Sequence, residues 1–358
     1  MSRKCSLAIL AWAVAVLPAC ATARWPYLHE LEGTQKFMAR QAQGDSVQVT
    51  YLGAAGYVIR RGEDAIMFAP SFTNPGIWAL LTRPIQTDGR KVDACMKKAG
   101  VQAGDVSWLM VGHSHYDHLM DVPYVWQSYT PRARILGSQT TRHILASFKE
   151  IPEDHVRPIE ESEVAKDGQM GKWIPDKKES PSVRVLAIKS DHAAHVLGIH
   201  LISRGKYTEA RKEQPRSGLS DWKEGETYAY LVDFLNPDGS IDFRIHFQDA
   251  ASSAEWGRLP EEVKREYPRV DLSIACTGGY EQARGYPETI LSQTRPRHVI
   301  LGHWEHFLGN DCAVDEQELL ITLGRGGLRK FTHQVMSTVQ DAEMILPMPL
   351  ATMYIPNP

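Results

Sequence analysis

Short apolar runs of strand length recur along the chain from residue 47 to residue 355. VQVTYLG at 47–53 alternates before turning apolar, and 55–60 and 64–68 (DAIMF) follow, separated by Gly and charged turns. This pattern predicts three short strands. VSWLMVG at 106–112 is nearly continuous in its apolar character and predicts a buried strand. Further strands are predicted at 133–137, 183–189 (VRVLAIK), 197–203, 227–234, 241–248, 270–276, 297–302 and 350–355, and helices at 139–149, 259–267 and 314–324. Strands alternating with helices point to a layered α/β architecture. Two polar stretches interrupt the pattern. Residues 166–182 read as a surface loop. Residues 204–226 (RGKYTEARKEQPRSGLSDWKEGE) read as a solvated hairpin or loop insertion, or alternatively as a lid. No stretch resembles an interdomain linker, and no internal repeat is present.

The chain has 358 residues, of which 43% are hydrophobic and 23% charged, enough apolar material for a large core without staples. The net charge of −3 argues against an electrostatic nucleic-acid binder. The start changes the picture more. Arg3 and Lys4 precede an apolar run at 7–17, then Leu17-Pro18-Ala19-Cys20. A basic start, a short apolar stretch and small residues before a cut site mark a secretory signal. The run is too short for a membrane span, which needs about 20 residues. The closing tetrapeptide resembles a bacterial lipobox, which implies cleavage before Cys20 and a lipid on its thiol; a plain signal peptide cut nearby is the alternative. The expected organisation is therefore a lipoprotein-type signal at 1–19, a tether at 20–45 and a single domain at 46–358. An oxidising compartment permits a disulfide. Cys276 reads as a buried strand residue, whereas Cys95 and Cys312 lie in more polar text. A bridge between those two is one reading, two free thiols the other.

The chemistry is concentrated directly after the strand at 106–112. His113-Ser114-His115-Tyr116-Asp117-His118 holds four residues of metal-ligand type in six. Imidazole suits zinc, and a carboxylate completes a mixed site. In an extended segment His113 and His115 point the same way and can grip one ion. A turn just beyond would swing Asp117 and His118 toward a second.

This motif resembles the HxHxDH signature of the metallo-β-lactamase superfamily, and the likeness extends over most of the chain after the signal. It implies a four-layer αββα sandwich with further ligands at strand ends. After 183–189 the text reads Ser190-Asp191-His192, so His192 is the expected third histidine, with His195 as the rival; His200 falls within a strand. Phe247-Gln248-Asp249 supplies the bridging carboxylate, Asp249, where the family more often has Gly before the Asp. His298-Val299-Ile300-Leu301-Gly302-His303 supplies the last histidine, His303, with His298 at the surface and His306 a neighbour of the site or an ordinary loop residue. The resemblance thus implies two divalent ions, most naturally zinc: one on His113, His115 and His192, one on Asp117, His118 and His303, with Asp249 between. It implies hydrolysis by metal-activated water, with Asp117 also shuttling a proton. VDLSIACTGGY at 270–280 and HWEHF at 303–307 look most like the branch of N-acyl-phosphatidylethanolamine-hydrolysing phospholipase D and ascorbate-phosphate lactonase. A phosphodiester is the first substrate expectation and a lactone or amide the second. A mononuclear iron persulfide dioxygenase and a non-catalytic metal-binding lipoprotein are the other classes. One departure stands out: the family commonly has Asp after the early strand, as in FDP, and here the text is Phe68-Ala69-Pro70. GRGG at 324–327 lacks the Lys-Ser/Thr ending of a phosphate-binding loop. Expected partners are a small-molecule or lipid substrate and a membrane reached through Cys20, with no nucleic acid.

Overall fold

A computed structural model describes residues 34–37, 45–101, 103–194, 204–306, 308, 312, 321 and 324–357, with main chain only at 34–37, 77 and 324–326. Its strands are β1 (Thr34–Phe37), β2 (Ser46–Gly53), β3 (Gly56–Arg61), β4 (Asp64–Phe68), β5 (Val106–Met110), β6 (Arg134–Gly137), β7 (Val156–Pro158), β8 (Ile174–Pro175), β9 (Val183–Lys189), β10 (Tyr228–Leu235), β11 (Ile241–Gln248), β12 (Leu272–Cys276), β13 (His298–Gly302), β14 (Glu343–Pro347) and β15 (Thr352–Pro356). They form two sheets, one ordered β15-β2-β3-β4-β5-β6-β7 and the other β1-β14-β13-β12-β11-β10-β9-β8. Thr34–Phe37, inside the segment read as a tether, pairs in parallel with β14.

Strand periodicity explains the layers. Val47, Val49, Tyr51, Tyr57 and Ile59 face inward and meet Val183, Val185, Tyr230, Phe243 and Ile245 of the facing sheet in one buried cluster. Val58, Met67, Leu109 and Val111 point the other way, where Val92, Met96, Val125 and Ile144 cover them from helices Gly89–Ala99, Val122–Tyr129 and Gln139–Leu145. On the second sheet Leu186, Ile188 and Leu231 pack under Val263 of helix Glu261–Glu266. The result is the expected αββα sandwich.

Several predicted elements differ from those observed. The helix expected at 314–324 lies outside the described residues except at two positions: Ile321 forms an isolated β-bridge with Glu305, and Gly324 opens the helix Gly324–Thr338. The glycines of GRGG therefore begin a helix and not a phosphate loop. The strand expected at 197–203 also lies outside the described residues. Helix Gly89–Ala99 was hidden by its charge, although Asp88 caps its start through the amides of Arg90 and Lys91, and Gly100 ends it with φ 64°. Cys95 on this helix is joined to Cys312, with Cα atoms 5.5 Å apart.

Parallel pairing from β11 through β14, and antiparallel pairing of β10 with both β9 and β11, give β9, β11, β12 and β13 one direction. Their C-terminal ends gather at one edge of the sandwich, where the end of β5 also emerges.

Candidate metal centre

The segment after β5 bends at Gly112 and His113 and, beyond His115 at φ −65° and ψ 158°, turns into the short helix Tyr116–Leu119. The His115 carbonyl accepts the amides of His118 and Leu119, which starts that helix. His113 and His115 thus sit together, ring centroids 4.6 Å apart, while the helical turn carries Asp117 and His118 to a second position. The backbone behind them is fixed. Val111 donates to Leu136, Tyr230 Oη donates to the Val111 carbonyl, and Tyr228 donates to the Gly112 carbonyl. Gly112 has a steric reason: a Cβ there would lie 2.4 Å from Cβ and Oδ2 of Asp249.

All seven side chains named from the sequence come together. His192, three residues beyond β9, lies 4.8 Å from His113 and 5.0 Å from His115 between ring centroids. Its Nδ1 meets the Ala193 carbonyl at 2.7 Å, which leaves Nε2 for the site. Asp249, next after β11, places Oδ2 at 2.6 Å from His113 Nδ1 and Oδ1 at 3.0 Å from His118 Nδ1. His303, next after β13, has Nε2 at 3.5 Å from Asp117 Oδ2, which is also 3.4 Å from His118 Nε2. His303 holds φ 57°, a left-handed conformation that costs a non-glycine residue free energy, and its amide is tied to the Ala54 carbonyl at 2.8 Å. His298 sits at the start of β13, by Asp271 and Glu343, away from this cluster. His195 and His200 lie outside the described residues.

The donors sort into His113–His115–His192, Asp117–His118–His303, and His113–His118–Asp249, each with ligand atoms within 4.8 Å of one another. Ligand atoms on one tetrahedral zinc ion stand about 3.4 Å apart, so small rotations suffice. Buried His113 Nε2 and Asp117 Oδ1 have no hydrogen-bond partner among the described residues. Such orphaned donor atoms are costly unless something binds them, and the residues fit a pair of cations. The electrostatics agree. Burial alone would raise the Asp249 carboxyl, yet His118 and His113 hold it far below the ordinary carboxylate range. Burial likewise works against the charge of His118, but Asp249 and Asp117 push its pKa up to about 10.

Ala69 is buried, at φ 28°, its amide bonded to the Met110 carbonyl at 2.9 Å. Another carboxylate holds the loop that follows. Asp121 accepts the Phe72 amide at 2.6 Å, the Thr73 amide at 2.7 Å and the Thr73 hydroxyl at 2.6 Å. Glu305 plays a similar part on the other side. It accepts the Tyr51 hydroxyl and the Ala54 amide, locking the β2–β3 turn to which His303 is tied. Neither residue was singled out from the sequence. The insertion at 204–226 also differs from a solvated connector: Trp222 and Glu224 are buried, and the Ser114 amide donates to the Glu224 carbonyl at 2.8 Å. The one sequence signal was the tryptophan inside a charged run.

No protein-family model matches the chain, and no protein of curated function matches it in sequence. Among solved structures it is similar to Igni18, a metallo hydrolase from the hyperthermophilic archaeon Ignicoccus hospitalis, over 87% of this chain and 100% of that one, at 12% identity and a TM-score of 0.51. It is also similar to a possible metal-dependent hydrolase from Veillonella parvula, over 86% of this chain and 99% of that one, at 13% identity and a TM-score of 0.48. The diiron β-hydroxylase CmlA from Streptomyces venezuelae is similar over 88% of this chain and 55% of that one, at 14% identity and a TM-score of 0.46. At these identities the likeness to Igni18 is one of fold.

Proposed function

We propose that this chain is a metal-dependent hydrolase of the metallo-β-lactamase superfamily that binds two divalent ions, zinc by donor chemistry, and cleaves a phosphodiester. The observation that carries the reading is the partition of seven donors, six buried and His192 half-buried, into two triads with Asp249 between them. His113, His115 and His192 would hold one ion, Asp117, His118 and His303 the other, and Asp249 would bridge. Bound metal supplies a water acidic enough to ionise near neutral pH and positive charge beside the reacting centre. Asp117 keeps Oδ2 toward His118 and His303. Its Oδ1 lacks a protein partner among the described residues, and would carry a proton toward the leaving group.

The test is metal analysis beside a panel of a phosphodiester, a lactone, a β-lactam and a persulfide, each with and without EDTA. EDTA-sensitive phosphodiester cleavage is expected. Lactone cleavage alone would move the substrate class, persulfide oxidation with one iron would replace the reaction, and two bound ions with no turnover on any substrate would overturn the enzyme reading. The same proposal puts the mature chain outside the cytoplasm on a lipidated Cys20. Cys20→Ser should then shift it from the membrane to the soluble fraction, and wild-type protein already soluble and unlipidated would refute that part.

A further inference from the structure

The ligand segments of the first triad come from different sheets: His113 and His115 follow β5, and His192 follows β9. A chain of polar contacts from the 204–226 segment joins them. The Ser114 amide, between the two histidines, donates to the Glu224 carbonyl at 2.8 Å. The Glu224 carboxylate accepts the Thr227 hydroxyl on Oε1 at 3.0 Å and pairs through Oε2 with Arg204 Nε at 3.4 Å. Arg204 Nη2 in turn donates to Asp191 Oδ1 at 3.0 Å and to the His192 carbonyl at 3.2 Å. The base of the segment is closed, since the Gly225 amide bonds the Gly205 carbonyl at 2.9 Å. A side chain at Gly225 is excluded twice: its φ is +77°, and a Cβ would sit 2.7 Å from Thr140 Cβ. Trp222 anchors the segment in the core. Glu224 is buried and Arg204 half-exposed.

We propose that Arg204 and Glu224 are positioning residues that hold His192 against His113 and His115, so that the 204–226 segment completes the first metal position. This rests on the metal-centre reading above. The planar guanidinium makes the arrangement specific. It reaches the Glu224 carboxylate through Nε and the Asp191 carboxylate and His192 carbonyl through Nη2, a fixed fork that a lysine ammonium cannot reproduce. Outer partners that orient metal ligands are worth about 10–100-fold in affinity.

The experiment titrates metal-free full-length protein with Zn²⁺ against a chromophoric chelator, for wild type, Arg204→Ala, Arg204→Lys and Glu224→Gln. Arg204→Ala should weaken one of two binding steps by about 10–100-fold and leave the other within about threefold. Arg204→Lys should recover part of the loss. Glu224→Gln, which keeps the backbone link to Ser114, should weaken the same step by a smaller factor. Combining Arg204→Ala with Glu224→Gln should lose less than the product of the single effects, because both break one contact. The spectrum of the Co²⁺-loaded protein should change at the weakened position only. Unchanged affinity in folded Arg204→Ala, or equal weakening of both steps with a lowered melting temperature of the metal-free protein, would overturn the proposal. Wild type that takes up no Zn²⁺ would instead sink the metal-centre reading. In that case the His192 ring ¹H–¹⁵N signals of the metal-free protein decide: broadening in Arg204→Ala supports the clamp, and unchanged signals overturn it.

Discussion

Replacing Gly112 by alanine should remove the bridging position while every donor residue keeps its identity. The added Cβ would lie 2.4 Å from Cβ and Oδ2 of Asp249 and 2.5 Å from its Cγ. Ordinary carbon contacts are about 3.5–4.0 Å, so one side must retreat by about 1 Å. Gly112 cannot be the one: its carbonyl is held by Tyr228, and its neighbour Val111 is bonded on both sides by Leu136 and Tyr230. Asp249 must therefore leave His113 and His118, which it now meets at 2.6 and 3.0 Å. Metal sites tolerate about 0.2 Å of ligand misplacement, so the expected loss is at least about 100-fold in affinity for the second ion bound. By the tenfold rule that is about 2.7 kcal/mol. Overpacking adds about 1–3 kcal/mol of destabilisation to the metal-free fold. Chelator competition measures the first quantity, and urea unfolding of metal-free protein the second. The two can be separated with Gly112→Ala combined with Asp249→Gly, which removes the clashing Cβ and should regain stability but not the metal. Gly112→Ala protein that binds both ions within about threefold of wild type would refute the steric reasoning, set against the roughly 100-fold loss anticipated from misplaced ligands.

Asp117→Asn should lower turnover about 10²–10⁴-fold while leaving the ion on His113, His115 and His192 in place; activity within threefold of wild type, against that range, would exclude both roles of Asp117. His246 is fully buried beside Ser273, and burial pushes its pKa from 6.5 down to about 4. Between those values the unfolded chain binds a proton that the folded chain does not, so stability falls as pH drops from 6.5 toward 4, by about 3 kcal/mol for this group. His246→Gln should flatten that part of the pH profile of urea unfolding, and an unchanged slope would contradict the assignment. Reducing Cys95–Cys312, or changing Cys95 to Ser, releases a closed loop of 217 residues. The expected loss is about 2–5 kcal/mol, read as a lower urea midpoint, and an unmoved midpoint would show that the bridge adds nothing.

Strands were legible because burial on one or both faces leaves runs that charge cannot interrupt: 64–68, 183–189 and 241–248 match β4, β9 and β11 residue for residue. Helix Gly89–Ala99 was not, since only Val92, Cys95 and Met96 turn inward along it. The donors of the centre were legible as residue types at strand ends, including His192, whose ring meets both His113 and His115. What supports them was not. Arg204 and Glu224 read as members of a charged run, and only tertiary packing brings them to Ser114 and His192. Gly112 reads as the end of a strand until Asp249, far along the chain, occupies the space its missing side chain leaves.

On the proposed metal centre, the order in which the donors occur along the chain would set the timing of metal capture. A growing polypeptide exposes His113, His115, Asp117 and His118 early, when each triad still lacks its final histidine, His192 or His303. Two donors on a flexible chain hold a divalent ion weakly, and tight binding waits on the folded site. Each triad draws on both sheets, through His192 from beyond β9 or His303 from beyond β13, so both sheets must have docked before either triad is complete. If the centre binds metal as proposed, uptake would be the closing event of folding, and loading would report on the integrity of the whole domain. Which element is captured follows from the supply in whatever compartment the finished fold first meets, because affinity alone ranks copper above zinc.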